Sequence, residues 1–414
     1  MTERGVVIIG AGQAGYQLAA SLRDAGYTKR VVLIGEEGTL PYQRPPLSKA
    51  FQSGACEAEH LTFQGEAFYE KVSIELMAGV RVERVEREAR CVLTDDGQRI
   101  EYDALVFATG ARNRAFAGVP DASGIFDLRT LHHARALRDA LGQASNIVVI
   151  GAGFLGLEFA AVAATRGVPA TVIEAGPAPM SRAVSAPVAQ AFRSHHETIG
   201  TGFIFDASVR AIHAQDGRVS GVELADNRHI VADLVLICIG VVPNVELARD
   251  AGLPTDNGIV VDESLATTDP HIFALGDCAA YPSRFAGGRC RIESVQNAVD
   301  QARFLAARLA GQNPDAPRTF DAVPWFWSDQ GGAKLQIAGL GMLNADDIVL
   351  RGDRPGMKFS AYGFANGRLI AVESVNRPAD HIAARRLIAA GAPVTPEHIA
   401  DAALDLRTLL EPVT

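Results

Sequence analysis

The chain begins with a short apolar run, a glycine-rich turn and an amphipathic stretch, which together predict a strand, a turn and a helix. The apolar run covers residues 6–9, the turn covers 10–15, and apolar residues recur at helical spacing over 16–25. A second apolar run at 31–34 ends just before Glu36. This order predicts a βαβ unit of the kind that holds a dinucleotide.

The same pattern recurs near residue 150. An apolar run at 146–150 precedes a glycine-rich turn at 151–156, a helical stretch continues to residue 164, and a second run ends at Glu174. In such a turn the first glycine permits the tight bend, the second lets the backbone approach a pyrophosphate, and the third lets helix and strand pack closely. The glycines in these roles are Gly10, Gly12 and Gly15 in the first copy and Gly151, Gly153 and Gly156 in the second. One such motif is a weak signal, but two complete copies predict two dinucleotide sites.

Further apolar runs indicate how the two copies are connected. Short strand-like runs at 80–85, 91–93 and 102–108 follow the first copy, and a buried run at 234–240 closes the second. We therefore predict an α/β fold with two Rossmann-like dinucleotide-binding domains, one inserted in the other. The first domain would comprise residues 1–112 and 241–318, the second residues 113–240, and a C-terminal α+β domain residues 319–414.

The acidic residue that ends the second copy indicates which nicotinamide cofactor would bind. A carboxylate at Glu174 can accept hydrogen bonds from both ribose hydroxyls, whereas it would repel the 2′-phosphate of NADPH. Ala175 follows it, but Arg182 is close enough in sequence to leave NADPH open. We expect NADH to be preferred.

Composition narrows the range of functions. The 414 residues are 48% hydrophobic and 21% charged, which suits a large globular protein. The net charge of −9 disfavours a nucleic-acid partner. The longest apolar stretches, such as 234–242, are shorter than the roughly 18 residues that a membrane span needs. We therefore expect no membrane partner. Because the first strand follows Met1 almost at once, we also expect no leader segment and a cytoplasmic location.

The cysteines indicate what kind of chemistry to exclude. The five cysteines include no CxxC pair, which favours reduced thiols over disulfides or a zinc site. Cys238, Cys278 and Cys290 lie in or beside predicted core strands, where cysteine is usually a small buried apolar residue. We expect no bound metal and no thiol chemistry.

A third motif, at residues 268–278, ends a predicted strand in Gly276-Asp277. With the first glycine motif it resembles the FAD-binding end of the two-dinucleotide flavoprotein reductases, in which the aspartate hydrogen-bonds the ribityl chain of FAD. Within that superfamily, nearly the whole chain resembles the NADH-dependent ferredoxin reductases of the putidaredoxin reductase type. The segments that carry this resemblance are 41–49 (PYQRPPLSK), 128–131 (LRTL), 291–298 (RIESVQNA) and 324–330 (PWFWSDQ).

This resemblance implies FAD and NADH as cofactors and assigns residues to each. The disulfide reductases of this architecture carry a redox CxxC, and the NADH oxidase and peroxidase branch carries a single cysteine, where this chain has Arg44 and Pro45. NADH would be held by residues 153–156 and by Glu174. The residues that would bind FAD are Ala14, Glu36, Arg44, Lys49, Val82, Arg129, Asp277 and Val295.

Three residues are candidates for a direct part in electron transfer. Lys49 would place a cation near the flavin, the alternative being a solvated lysine after a proline-rich connector. Glu158 would point towards the nicotinamide, the alternative being a first-turn glutamate favoured by the helix dipole. Trp327 would lie by the flavin at the ferredoxin face. Its neighbour Trp325 is equally consistent with a core tryptophan.

The expected activity follows from electron counting. NADH gives up two electrons as a hydride, whereas a 2Fe-2S ferredoxin accepts one at a time, so a flavin must store the pair. We expect electrons to pass from NADH through FAD to a 2Fe-2S ferredoxin that serves a cytochrome P450 or a Rieske oxygenase. Two alternatives remain open: a flavin NADH oxidase or non-thiol reductase, and an NADH-sensing flavoprotein scaffold.

A local excess of arginine predicts where an acidic ferredoxin would be steered. Residues 284–318 contain six arginines against Glu293, Asp300 and Asp315, a local charge of +3 in an acidic chain. We expect Arg303 and its neighbours to speed association at low salt, the alternative being a solvated helix face. The six arginines are Arg284, Arg289, Arg291, Arg303, Arg308 and Arg318.

Overall fold

A computed structural model describes residues 4–311 and 318–410 of the chain. By contact, the chain divides into two compact units, each of them discontinuous in sequence. The first unit comprises Met1–Gln43, Glu59–Arg112 and Val241–Pro324. The second unit comprises Arg44–Ala58, Asn113–Gly240 and Trp325–Thr414.

The helices within the described ranges are numbered here in chain order. They are α1 Gln13–Asp24, α2 Ala50–Ser53, α3 Glu66–Lys71, α4 Leu131–Leu141, α5 Phe154–Thr165, α6 Ala186–Thr198, α7 Glu246–Asp250, α8 Val295–Ala310, α9 Pro378–Ala390 and α10 Pro396–Ala400. Across residues 4–311 and 318–410, no helix is both long enough and apolar enough to cross a bilayer.

The strands are numbered in the same way. Those up to residue 127 are β1 Gly5–Ile9, β2 Arg30–Gly35, β3 Ile74–Ala78, β4 Val82–Glu86, β5 Cys91–Thr94, β6 Arg99–Glu101, β7 Ala104–Phe107, β8 Ala111–Asn113 and β9 Ile125–Asp127. The next are β10 Ile147–Ile150, β11 Ala170–Ile173, β12 Thr201–Ile204, β13 Val209–Gln215, β14 Arg218–Leu224, β15 His229–Val231, β16 Leu234–Ile237, β17 Val241–Pro243 and β18 Thr255–Asp256. The last are β19 Gly258–Val260, β20 Ile272–Ala274, β21 Ala279–Ser283, β22 Gly288–Cys290, β23 Trp325–Gln330, β24 Ala333–Gly339, β25 Asp347–Asp353, β26 Lys358–Ala365 and β27 Arg368–Val375.

The first unit is built on a five-stranded parallel sheet with the strand order β20-β7-β1-β2-β3. The central strands are apolar and buried throughout, as expected for a parallel sheet covered on both faces. Strand β20 pairs with β7, so the chain returns to its first sheet after residue 241. This confirms the predicted insertion of one dinucleotide-binding fold in the other.

Helix α8 brings the later part of the first unit against the first glycine motif. Ser294 caps its start by accepting two backbone hydrogen bonds, and Gly311 follows its end in the left-handed conformation. The buried face of α8 packs on α1. On that face, Gln301 accepts a hydrogen bond from the Gly276 amide at 2.7 Å. This contact fixes the turn that leads into Asp277.

The second unit contains a second parallel sheet, with the order β12-β11-β10-β16-β9. It also contains the five-stranded antiparallel sheet β23-β24-β27-β26-β25, with α9 packed against β24 and β27. Helix α5 follows β10 and is buried along most of its length, in part against β23. The second Rossmann-like fold and the C-terminal α+β fold are therefore confirmed.

The domain boundaries proposed from the sequence stay a prediction, and the contact units differ from them in two places. Residues 44–58 group with the second unit because α2 packs against α4 and α5. Residues 113–240 and 325–410 share one unit, in which the Glu373 carboxylate of β27 accepts hydrogen bonds from Ser185 at the start of α6.

Candidate functional site

The first glycine motif forms the turn between β1 and α1. Gly10 has φ +111°, and a Cβ there would lie 2.2 Å from the Ala108 carbonyl oxygen, so only glycine fits. A Cβ on Gly15 would lie 1.9 Å from the Gly10 carbonyl oxygen. At Gly12, by contrast, no described atom beyond the adjacent residues lies within 4 Å of such a Cβ. The turn is therefore open at its middle glycine, where a phosphate would lie.

Asp277 lies just after β20, beside this turn. Gly276 has φ +75°, and a Cβ there would lie 2.9 Å from the Ala14 side chain. The Arg291 guanidinium donates to the Asp277 carbonyl oxygen at 3.1 Å. The structure therefore brings Ala14 and Asp277, which come from motifs far apart in sequence, to the same end of the first sheet.

Three other residues assigned to FAD also lie in the first unit. Glu36 follows β2 and is exposed, with its carboxylate 3.9 Å from the Arg81 guanidinium. Val82 is buried in the core of this unit. Val295 is the first residue of α8 and is half-buried. Their role towards FAD stays a prediction.

The second glycine motif repeats the geometry of the first. Gly151 has φ +104°, and a Cβ there would lie 2.3 Å from the Cys238 carbonyl oxygen. A Cβ on Gly156 would lie 2.3 Å from the Gly151 carbonyl oxygen. At Gly153, again, the described chain leaves the Cβ direction open. Helices α1 and α5 both have glycine at the N-cap, which brings no side chain to the helix amides. Both turns therefore fit the pyrophosphate of a dinucleotide.

Glu174 follows β11 and lies against this second turn. Its Oε2 accepts a hydrogen bond from the Ala152 amide at 2.8 Å, and its Oε1 accepts one from the Gly176 amide at 2.9 Å. The carboxylate is half-buried and keeps lone pairs that ribose hydroxyls could use. Arg182 is exposed in the loop before α6.

Lys49 and Glu158 form an ion pair within the second unit. Lys49 Nζ donates to Glu158 Oε1 at 2.8 Å, and the two side chains are 20% and 7% exposed. Ser48 Oγ donates to Glu158 Oε2 at 2.5 Å, and Ser328 Oγ donates to Oε1 at 2.6 Å. Three donors therefore compensate the burial of this carboxylate.

This pairing bears on the alternatives considered for the two residues. Helix α5 begins at Phe154, so Glu158 lies beyond its first turn. The helix dipole favours a glutamate within the first turn, so it does not account for Glu158. Lys49 is paired with a buried carboxylate and is not a freely solvated lysine.

Arg44 and Arg129 also lie in the second unit. Arg44 precedes the 3-10 turn Pro45–Ser48, and its Nη1 donates to the Arg129 carbonyl oxygen at 2.5 Å. Arg129 follows β9, just before the N-cap of α4. The structure brings these two residues together, and their role towards FAD stays a prediction.

Trp325 and Trp327 share one face of β23, with ring centroids 5.6 Å apart. The Trp325 ring also packs against His381 at 5.3 Å and beneath the Arg385 guanidinium at 5.2 Å. Trp325 thus packs against the C-terminal core, whereas Trp327, which is half-exposed like Trp325, is not among the described residues of that core.

The cysteines are free thiols in the described residues, which include all five. Burial raises the pKa of Cys238, Cys278 and Cys290, which disfavours the reactive thiolate. The structure confirms that these three are packed in or beside strands. Within residues 4–311 and 318–410, no group of three or more His, Cys, Asp or Glu could hold a metal.

The arginine-rich segment is only partly a surface patch. Arg303 is exposed on α8, and its role towards a ferredoxin stays a prediction. The Arg291 side chain, however, is 8% exposed and paired with Glu293 at 2.7 Å, and Arg284 is paired with a carboxylate at 2.6 Å. Asp315 lies outside the described residues. Glu293 is already subtracted in the count of +3, but the carboxylate paired with Arg284 belongs to Asp321, outside residues 284–318, and it lowers the local positive charge below that count.

Sequence reasoning missed the partners of Glu158. Ser48 and Ser328 lie inside the segments 41–49 and 324–330, but neither serine was among the residues assigned a role there. Strand alternation offers a signal, since it places Ser328 and Gln330 on the face of β23 opposite Trp327.

The chain matches two family models. Residues 4–302 match the model described as pyridine nucleotide-disulphide oxidoreductase. Residues 325–410 match the model described as reductase C-terminal. The first match covers well over half of the chain, and the second covers the antiparallel sheet of the second unit.

The chain is also similar to known proteins over nearly its whole length. It is 47% identical over 404 residues to rhodocoxin reductase from Rhodococcus erythropolis, which covers 97% of this chain and 93% of that protein. The ferredoxin reductase for the CYP199A2 system from Rhodopseudomonas palustris has a similar structure, with TM-score 0.94, 46% identity, and coverage of 98% and 100%. Putidaredoxin reductase in its covalent complex with putidaredoxin gives TM-score 0.94 and 35% identity, with 98% of each chain covered.

Proposed function

This chain belongs to the pyridine nucleotide-disulphide oxidoreductase family, among the ferredoxin reductases that end in a reductase C-terminal domain, and we propose its electron donor and acceptor from that membership. It is an oxidoreductase that binds FAD and NAD(H). We propose that it passes electrons from NADH to a 2Fe-2S ferredoxin, which serves a cytochrome P450 or a Rieske oxygenase. The observation that carries this proposal is the pair of glycine turns, each open only at its middle glycine.

The residues around Glu158 suit hydride transfer. FAD, when bound, accepts two electrons together and releases them singly, which links NADH to a one-electron carrier. Lys49 would supply a positive charge to stabilise the negative charge that a hydride brings to FAD. Glu158 holds that ammonium at 2.8 Å, and Ser48 and Ser328 hold Glu158. The pair is thus fixed in advance of the reaction.

The nicotinamide cofactor is proposed to be NADH. Glu174 is fixed by two backbone amides against the second turn, so its negative charge is held where the ribose would bind. Arg182 is exposed further along this loop and is not paired with Glu174 in the described hydrogen bonds. A 2′-phosphate would therefore meet the carboxylate before the cation.

The electron acceptor is proposed to be a protein and not a thiol. The buried cysteines with raised pKa values argue against a redox disulfide. Trp327 is half-exposed on β23, and Arg303 is exposed on α8. An acidic ferredoxin would suit the positive charge of Arg303, and we propose that the protein meets it in the cytoplasm.

The test is NADH-dependent reduction of cytochrome c by the holoprotein, with and without a panel of 2Fe-2S ferredoxins. We expect at least one ferredoxin to raise the rate about ten-fold or more, because a docked carrier makes electron transfer effectively intramolecular. Oxygen consumption that no ferredoxin changes would favour the NADH oxidase. Slow turnover with a long-lived charge-transfer complex would favour the NADH-sensing scaffold.

A variant pair ties this activity to the ion pair. Lys49→Met should slow flavin reduction by NADH about 10-fold to 100-fold, because it removes the cation and leaves Glu158 buried without it. Lys358→Met, at an exposed position on β26, is the matched control and should match the wild type. Equal rates in the two variants would remove Lys49 from the mechanism.

A further inference from the structure

A buried chain of hydrogen bonds leads from Glu158 towards α6. Ser328 Oγ lies 2.6 Å from Glu158 Oε1, and Gln330 Nε2 lies 3.0 Å from Ser328 Oγ. Gln330 Oε1 lies 2.9 Å from His196 Nε2, and His196 Nδ1 lies 3.4 Å from Thr201 Oγ1. Glu158 is buried, and Ser328, Gln330 and His196 are fully buried. The mechanism above uses only the first of these contacts.

The donors in this chain of hydrogen bonds all point towards Glu158. An ionised carboxylate only accepts, so the single Ser328 hydroxyl proton is directed to Glu158. Gln330 must then present its N–H to Ser328 and its carbonyl oxygen to His196. His196 in turn must donate from Nε2, which leaves Nδ1 to accept from the Thr201 hydroxyl. Reversing the Gln330 amide would require Ser328 to donate two protons where it has one.

The state of His196 agrees with this direction. Burial lowers the pKa of His196 to about 4, so its imidazole is neutral near neutral pH and has one donor and one acceptor nitrogen. This chain of hydrogen bonds is also unsuited to proton conduction, because the Gln330 amide would have to ionise to pass a proton along. Its effect on Glu158 is therefore one of orientation and electrostatics.

Neighbouring contacts fix the far end of the chain. His195 Nε2 donates to the Gly331 carbonyl oxygen at 2.9 Å. A Cβ on Gly331 would lie 2.6 Å from Ile199 Cδ1, and its φ is +55°. The turn between β23 and β24 is thus packed tightly on the C-terminal part of α6, which limits how far Gln330 can move.

We propose that Ser328, Gln330 and His196 are positioning residues for flavin reduction, because they aim a fixed donor at the Glu158 oxygen that also holds Lys49. The kinetic part of this inference rests on the proposed function, whereas the direction of the chain is a property of the second unit alone. Ser328 and Gln330 alternate with Trp325 and Trp327 along β23. The strand that carries the half-exposed Trp327 therefore also sets the orientation of Glu158.

The first experiment reads the direction of the chain without any turnover. In FAD-loaded protein labelled with ¹⁵N-histidine, we expect His196 to be protonated at Nε2 and unprotonated at Nδ1, with a His196→Asn variant assigning the signals. In Gln330→Leu this preference should weaken, because the acceptor of the Nε2 proton is lost. A proton on Nδ1 in the wild type would reverse the chain and overturn the proposal.

The second experiment measures flavin reduction by NADH in stopped flow. Ser328→Ala should lower the rate constant at saturating NADH about ten-fold with little change in the apparent Kd for NADH, and Gln330→Leu should lower it less. Ser328→Thr keeps the hydroxyl and should restore most of the rate. Ser360→Ala is the matched control, since Ser360 is a buried hydrogen-bonded serine of the same sheet outside the chain.

Two outcomes of these experiments would overturn the positioning role. One is Ser328→Ala behaving like Ser360→Ala, and the other is Ser328→Thr failing to recover the rate. If the wild-type flavin is not reduced by NADH at all, the proposed function fails, while the histidine spectra still decide the direction of the chain.

Discussion

The two glycine turns have nearly the same backbone but different surroundings. Gly10 and Gly151 have φ values of +111° and +104°. In both turns a Cβ on the third glycine would clash with the carbonyl oxygen of the first. The acid that ends the second unit's motif, Glu174, is held by two amides of its own turn. The corresponding Glu36 is exposed and lies 3.9 Å from an arginine.

The helices that follow the two turns differ as well. Helix α1 is buried along one face, which packs on α8, whereas α5 is buried along most of its length. Only α5 carries a buried glutamate, Glu158, with three donors around it. Both turns can therefore accept a phosphate. The elements packed around each turn decide whether a buried charged group such as Glu158 lies beside it.

The largest effect should come from filling the open middle position of each turn. Gly12→Val should yield protein with about a tenth of the normal FAD content or less, because the side chain fills the space for the pyrophosphate. Gly153→Val should stay yellow but lose about 100-fold in kcat/KM for NADH. Flavin content and steady-state kinetics test this. Loss of FAD from Gly153→Val instead would break the assignment of the two turns.

The next largest effect should come from replacing the acidic residues that end the two motifs, Glu174 and Glu36, and the two replacements should differ. Glu174→Ala should lower kcat/KM for NADH about 30-fold and bring NADPH close to NADH, because a fixed ribose acceptor is lost. Glu36→Ala should weaken FAD binding only several-fold, since its carboxylate is exposed. The NADH to NADPH ratio of kcat/KM is the measurement. An unchanged ratio in Glu174→Ala would contradict the predicted preference.

Stability should depend on pH through Glu373 in the second unit. Burial raises the pKa of Glu373 from 4.5 to about 7, although Ser185 donates to its carboxylate. Between these two pH values the unfolded chain ionises while the folded chain keeps its proton, so stability falls as pH rises. Relative to Glu373→Gln, the wild type should lose up to about 3 kcal/mol of unfolding free energy over that range. Denaturant unfolding at several pH values checks this, and a constant difference would contradict it.

The smallest effect should come from the arginine-rich segment of the first unit. Arg303→Glu should slow ferredoxin reduction several-fold at low salt and little at high salt, because an exposed charge acts mainly on association. Arg249→Glu, exposed on α7 in the same unit, is the control. A low-salt rate for Arg303→Glu equal to that of the control would remove this surface from the docking model.

The architecture could be predicted from the sequence because its signals are local. The apolar runs at 6–9 and 146–150 became β1 and β10 with shifts of one residue, since a continuous apolar run suits a strand buried on both faces. The first and third glycine positions of each turn were also predictable, because a positive φ or a close backbone contact there leaves no other residue type. The Gly276-Asp277 turn at the end of a strand was likewise predicted from a local motif, at residues 268–278.

The environment of Glu158 was decided only by the tertiary structure. Its partners Lys49 and Ser328 lie 109 and 170 residues away in sequence, and no local pattern links them. The count of arginines likewise included Arg291, which the fold buries against Glu293. Backbone form depends on each residue and its neighbours, whereas the partner of a buried polar side chain depends on which elements pack together. The sequence therefore determined two nucleotide turns, and the packing of α5 against β23 decided what surrounds the second.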